Sequence, residues 1–221
     1  MPSRNSKTDT ARYAPDGSHR RQNTLQWQDL ASRPLADLVN FTLAQPLPEN
    51  RLQFRFLNEE ICVDIPGQCL KRAGEPDVPP LDDPLLELVT LTYLNQVNGV
   101  FPLDRDIVGL QDLKESHFFV GPHELRTANL LERYGQDPEG FRRAVTDLDG
   151  RLVDMADAAG RLLPFPRIPL YFLMWFEDEE FPPGLKVLFD RSIDQVLPAD
   201  AIWALVNRVS QALVDGKALG R

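Results

Sequence analysis

The segment 170–176 constrains the fold more than any other part of this chain. Its side chains are aliphatic, aromatic or sulfur-containing, and their only polar groups are the Tyr171 hydroxyl and the Trp175 indole N–H. A strand of that composition belongs inside a sheet with both faces covered. An acidic run follows at 177–180, and 185–189 is predicted to be the return strand. The pattern predicts an aromatic hairpin near the C-terminus, with the acidic run as a solvated turn rather than a metal-binding loop.

A second hairpin is predicted near residue 50. Leu52, Phe54 and Phe56 alternate with polar residues, which is the period of a strand with one buried face. The return strand is expected at 61–65, after a turn at 58–60. The proline-rich stretch 66–80 is predicted to be a loop.

Helices are indicated by apolar residues at helical spacing and by residues suited to helix starts. The strongest case is 82–97, where Asp82 or Asp83 can cap the helix and Pro84 suits its first turn. Further helices are predicted to start at the following residues: Thr24, Ser32, Pro122, Asp137 and Pro198.

Length and composition indicate one globular α+β domain with packed helices and a mixed or antiparallel sheet. The chain has 221 residues, of which 43% are hydrophobic and 26% charged, so a substantial core is expected. Residues 1–23 lack apolar periodicity and are predicted to be a disordered basic tail. The domain is expected to cover 24–216, and 217–221 is expected to be a flexible C-terminus.

The charge distribution argues against nucleic acid as a partner. Residues 1–23 carry five basic and two acidic side chains, and the rest of the chain has a formal charge of −12. An acidic body repels a phosphate backbone. No apolar stretch has the length of a membrane span and no signal peptide is visible, so a cytoplasmic protein without membrane contact is expected. Cys62 and Cys69 are predicted to be free thiols, and no metal site is predicted.

The residues that could carry chemistry form two groups. His117, His123 and Glu124 lie in one short segment, where a histidine beside a carboxylate could bind a ligand, hold a cofactor axially or move a proton. Asp190 and Arg191 follow the last predicted strand, and side chains at strand ends often line binding sites. For both groups, ordinary hydrogen bonding and turn closure are the competing explanation.

Several short stretches resemble the domain of unknown function 3786. They are FVGPH at 119–123, RYG at 133–135, PRIPL at 166–170, WFEDEEFPP at 175–183, VLFDRS at 187–192 and LP at 197–198. The resemblance extends over about residues 25–215. It implies no activity, because none is established for the family, whose members occur mainly in anaerobic bacteria and archaea.

Some members of that family carry a four-cysteine iron–sulfur domain of the kind found in corrinoid proteins. This chain has only two cysteines, so that domain is not expected here. The leading hypothesis is a non-catalytic binding or accessory protein of anaerobic metabolism that recognises a cofactor or a protein partner. The alternatives are a protein that binds a corrinoid or other tetrapyrrole near His117 or His123, and an enzyme that uses histidine and carboxylate groups as acid and base.

Overall fold

The most buried strand of the structure is β8 (Ile168–Trp175), in which Trp175 alone is not fully buried. The structure is a computed structural model that describes residues 17–74, 78–177 and 181–220. β8 lies between β7 (Ala158–Phe165) and β9 (Gly184–Asp190), and both pairings are antiparallel. The predicted strand with two covered faces and its aromatic hairpin are therefore confirmed.

The remaining elements of the described residues surround this hairpin. The helices are α1 (Gly17–Ser32), α2 (Leu35–Thr42), α3 (Pro84–Gln96), α4 (Ala128–Tyr134), α5 (Pro138–Asp147) and α6 (Ala199–Asp215). The other strands are β1 (Gln45–Leu47), β2 (Arg51–Phe56), β3 (Glu59–Asp64), β4 (Cys69–Arg72), β5 (Ile107–Val108) and β6 (Arg151–Val153). Short 3-10 turns occur at Leu110–Asp112, Ser116–Phe118, Gly121–His123 and Arg191–Gln195.

The strands form two antiparallel sheets. One has four strands in the order β1-β2-β3-β4, and the other has five in the order β5-β9-β8-β7-β6. Phe165 joins the sheets to the helices, because its ring contacts Phe54 and Phe56 of β2 and stacks on Tyr93 of α3. One continuous core therefore spans both sheets and the helices. The prediction of a single α+β domain is confirmed.

Two predicted helix starts have the expected caps. The Asp83 carboxylate accepts the backbone N–H of Leu86, and the Asp137 carboxylate accepts that of Gly140. In both helices a proline follows the cap, where its missing N–H costs nothing. The final helix, α6, was predicted at Pro198 and begins one residue later.

Three predicted helix starts are wrong. α1 begins at Gly17, so Thr24 lies inside it, and the predicted boundary of the tail at residue 23 also falls within this helix. The Ser32 hydroxyl donates to the Asp29 carbonyl, and Pro34 precedes α2 instead. Pro122 forms a 3-10 turn rather than the start of a helix, and α4 begins only at Ala128.

Some regions differ from their predicted loop or flexible character. β4 lies within 66–80, where it pairs with β3. At the C-terminus, Ala218 and Leu219 are buried, and Arg72 donates a hydrogen bond to the Gly220 carbonyl. The rest of the predicted tail, 1–16, and most of the acidic turn, 178–180, lie outside the described residues.

Candidate functional site

A recess opens where the end of α3 meets the turn between β7 and β8. Its walls come from α3, the loop after it, that turn and the 3-10 turn that follows β9. The lining residues are Tyr93, Val97, Gly99, Phe101, Leu103, Arg167, Ser192 and Val196. The recess holds about 230 Å³ of empty space. This volume includes open solvent, and the enclosed space has room for about one water molecule.

Tyr93 supplies a buried hydroxyl to this recess. Its side chain is 0% exposed, and its ring stacks on Phe165 with 5.0 Å between ring centroids. Within the described residues the hydroxyl has no hydrogen-bond partner. Burial raises the pKa of Tyr93, and the positive charge of Arg167 opposes this only in part. The hydroxyl is therefore protonated at neutral pH and can donate a hydrogen bond.

Arg167 supplies a cation that forms no ion pair with another described residue. It lies in the short turn between β7 and β8, and its buried Nε has no hydrogen-bond partner in the part of the chain that the structure describes. By contrast, Arg161 on β7 makes two hydrogen bonds to the Asp104 carboxylate, at 2.8 and 2.7 Å. Buried polar groups in folded proteins nearly always have partners. Two unpaired groups on the walls of one recess therefore make this recess the candidate site.

The loop that forms one wall of the recess is anchored just beyond its lining residues. Asp104 binds Arg161, and its carboxylate also accepts the hydroxyl hydrogen of Tyr171. The Arg161 hydrogen bond holds the pKa of Asp104 below its usual range. The backbone N–H of Asp104 donates to the Asp190 carboxylate at 2.5 Å. The sheet therefore fixes the position of Leu103, the neighbouring lining residue.

The predicted site residues Asp190 and Arg191 lie next to the recess and hold the neighbouring loop in place. Asp190 is 3% exposed, and its carboxylate accepts the backbone N–H groups of Asp104 and Ser192. Arg191 binds Asp106 at 2.5 Å and the carbonyl of Asp112. Both side chains are thus engaged with the neighbouring loop, whereas the next residue, Ser192, lines the recess.

The histidine segment lies in two 3-10 turns and is exposed. His123 stacks on Phe118, with 4.3 Å between ring centroids, and meets Trp203 edge to face. His117 and Glu124 are exposed as well. The Glu124 carbonyl accepts the indole N–H of Trp203. The lining of the recess includes none of these three predicted residues, and it does not include Asp190 or Arg191.

Sequence reasoning did not single out Tyr93 or Arg167 for ligand binding. A weak signal existed for Arg167, which stands between Pro166 and Ile168 in one of the stretches that carry the family resemblance. Tyr93 gave none, because most of its neighbours in this helix are apolar, as in any core helix. Neither residue belongs to a recognisable motif.

The chain belongs to the family of the domain of unknown function DUF3786, whose sequence model matches residues 38–212. This match covers all of the recess. No curated protein and no solved structure matches the chain.

Residues 17–74, 78–177 and 181–220 contain no group of three or more His, Cys, Asp or Glu side chains that could hold a metal ion. Among the same residues, no helix is long and apolar enough to cross a membrane.

Proposed function

We propose that this chain is a non-catalytic binding protein that recognises a small anionic ligand in the Tyr93–Arg167 recess. The proposal rests on one observation: two donors that lack a partner among the described residues, the Tyr93 hydroxyl and the Arg167 Nε–H, belong to residues that line the same recess. A guanidinium group and a hydroxyl are suited to oxygen anions, because both donate hydrogen bonds and one carries charge. An anion would satisfy both donors together.

The lining supports binding rather than turnover. It contains no histidine, cysteine or carboxylate side chain, and the Tyr93 hydroxyl stays protonated because burial raises its pKa. General acid–base catalysis needs a group that gains and loses a proton near the working pH. A guanidinium group cannot serve this purpose, because proteins do not deprotonate it.

The setting of this function is also a proposal. The resemblance to a family found mainly in anaerobes supports an accessory role in anaerobic metabolism. The two cysteines are free thiols, which supports a reducing compartment such as the cytoplasm. The acidic charge of the body supports a small molecule or a protein as the partner, rather than nucleic acid.

The tetrapyrrole hypothesis has less support. A tetrapyrrole needs a broad apolar cleft beside its axial ligand, and both His117 and His123 are exposed. An absorbance spectrum of protein purified without oxygen, before and after addition of cobalamin or haem, tests it directly.

Anion binding is tested by NMR titration in chloride-poor buffer with sodium acetate, sodium phosphate and sodium sulfate. The side-chain Nε–H signal of Arg167 is the local probe, and we expect at least one anion to shift it in a saturable way. The variant R167Q should lose saturable binding, measured by calorimetry. R143Q is the matched control, because Arg143 is an exposed arginine on α5 outside the recess. If none of the three anions moves the Arg167 signal, the proposal fails.

A further inference from the structure

We infer that the ligand is a small monocarboxylic acid, bound as its carboxylate with a short apolar stem; this inference rests on the proposed function and narrows it. The recess offers one positive charge, that of Arg167, and no other lining side chain is charged. A carboxylate carries one negative charge, so the pair is neutral. Phosphate at neutral pH carries more charge than one arginine neutralises, and uncompensated charge in a desolvated site is costly.

The number of donors favours the same ligand. Tyr93, Arg167 and Ser192 are the lining residues with polar side chains. A carboxylate has two oxygens, which the planar guanidinium fork can bind side by side while the Tyr93 hydroxyl adds a further hydrogen bond. Phosphate and sulfate have four oxygens around a tetrahedral centre. They would leave more acceptors facing apolar walls.

The rest of the lining describes the stem of the ligand. Val97, Phe101, Leu103 and Val196 are apolar, and Leu103 is held in place through its neighbour Asp104. Apolar walls contribute affinity in proportion to the apolar surface that a ligand buries against them. The enclosed space has room for only about one water molecule, so the stem must be short and must extend along these walls toward the opening of the recess. The recess therefore fits a short-chain acid better than a hydroxylated or charged metabolite.

The test is a calorimetric series with formate, acetate, propionate and butyrate against phosphate, sulfate and propionamide. We expect propionate or butyrate to bind roughly tenfold more tightly than phosphate or sulfate. Each added methylene should improve affinity by about fourfold until the recess is full. Propionamide, which keeps the shape and lacks the charge, should bind at least about tenfold more weakly than propionate.

Two variants separate the carboxylate from the stem. R167Q should weaken every carboxylate, whereas L103A should weaken butyrate by about fourfold or more and leave formate unchanged. An equal loss for formate and butyrate in L103A would refute the apolar stem.

The outcomes distinguish this inference from the proposed function. If phosphate or sulfate binds as tightly as butyrate and R167Q abolishes binding, the recess is an anion site but the carboxylate assignment is overturned. If N-acetylvaline binds more tightly than butyrate, the assignment to a free acid is overturned in favour of a chain terminus. If no anion binds in a way that depends on Arg167, both proposals fail.

Discussion

The Tyr93 hydroxyl provides the sharpest test of the candidate site, because a second buried tyrosine is its matched control. In the free protein the Tyr93 hydroxyl has no hydrogen-bond partner among the described residues. The Tyr134 hydroxyl, which is equally part of the core, donates to the Leu213 carbonyl at 2.8 Å. That carbonyl lies in the last turn of α6, where the helix itself provides no partner. Replacing each tyrosine with phenylalanine removes one oxygen and keeps the ring.

The two substitutions should have opposite effects. Tyr134→Phe removes a hydrogen bond and leaves the Leu213 carbonyl unpaired, which should lower the free energy of unfolding by about 1–3 kcal/mol. Tyr93→Phe removes a hydroxyl that has no hydrogen-bond partner among the described residues and keeps the stacking on Phe165. We expect its free energy of unfolding to stay the same or to rise by up to about 1 kcal/mol.

The measurement is thermal and guanidinium-induced unfolding of ligand-free protein. For a chain of this size, about 1 kcal/mol corresponds to about 2–4 °C in Tm, so Tyr134→Phe should melt clearly below the wild type and Tyr93→Phe should not. Saturating ligand should then raise the Tm of the wild type more than that of Tyr93→Phe, since the variant has lost one ligand contact. If ligand-free Tyr93→Phe is destabilised as much as Tyr134→Phe, the hydroxyl has a partner in the free protein and the reasoning is refuted.

Three other changes test contacts that stabilise the fold outside the lining of the recess. Asp104→Asn should make the loss of stability in acid less steep. The hydrogen bond from Arg161 lowers the pKa of Asp104 in the folded state, so the carboxylate stabilises the fold above its unfolded pKa of about 3.9, and this contribution is lost as the pH falls through the folded value. If the free energies of urea unfolding of variant and wild type change in parallel with pH, this expectation is contradicted. Gly160→Ala should lower the free energy of unfolding by about 1–3 kcal/mol, because a Cβ there would lie 2.5 Å from Val145 Cγ2. Adding Val145→Ala should recover part of this loss in a double-mutant cycle. Simple additivity of the two losses would show that the two side chains do not clash. Asp83→Ala should lower the free energy of unfolding by about 3 kcal/mol or more, since it removes a helix cap and the partner of a buried arginine, Arg208. Asp83→Asn keeps a capping oxygen, so it should lower the stability measured by thermal unfolding less. Equal losses in the two variants would argue against the cap.

The parts of the fold that were predicted correctly are those encoded by local patterns. Alternation in 51–56 and continuous apolarity in 170–176 identified the long strands, because each pattern lasts long enough to be distinguished from chance. Asp83 and Asp137 identified helix starts because a cap and a following proline act within one turn. The single domain and its α+β class follow from these elements.

The missed elements are short or depend on distant partners. β5 has two residues and pairs with β9, which lies about eighty positions further along the chain. No periodicity can be detected in two residues, so only the paired strand defines it. β4 was hidden by the prolines and glycines around it. The late start of α4 has a similar cause, since the chain before it forms 3-10 turns that pack Phe118 and His123 against each other.

The candidate site was missed for a different reason, which concerns what a sequence can record. His123 and Asp190 attracted attention because their side chains are chemically versatile wherever they occur. Tyr93 and Arg167 matter because of what surrounds them. A tyrosine in an apolar helix and an arginine in a turn become a candidate site only when folding places both beside one recess and, among the described residues, leaves the Tyr93 hydroxyl and the Arg167 Nε without a partner. The stabilising core and the recess share the Tyr93 ring, whose stacking on Phe165 fixes the hydroxyl. Binding at this recess should therefore tighten the junction of α3 with the β7–β8 turn, and slower amide exchange in α3 on addition of butyrate would measure it.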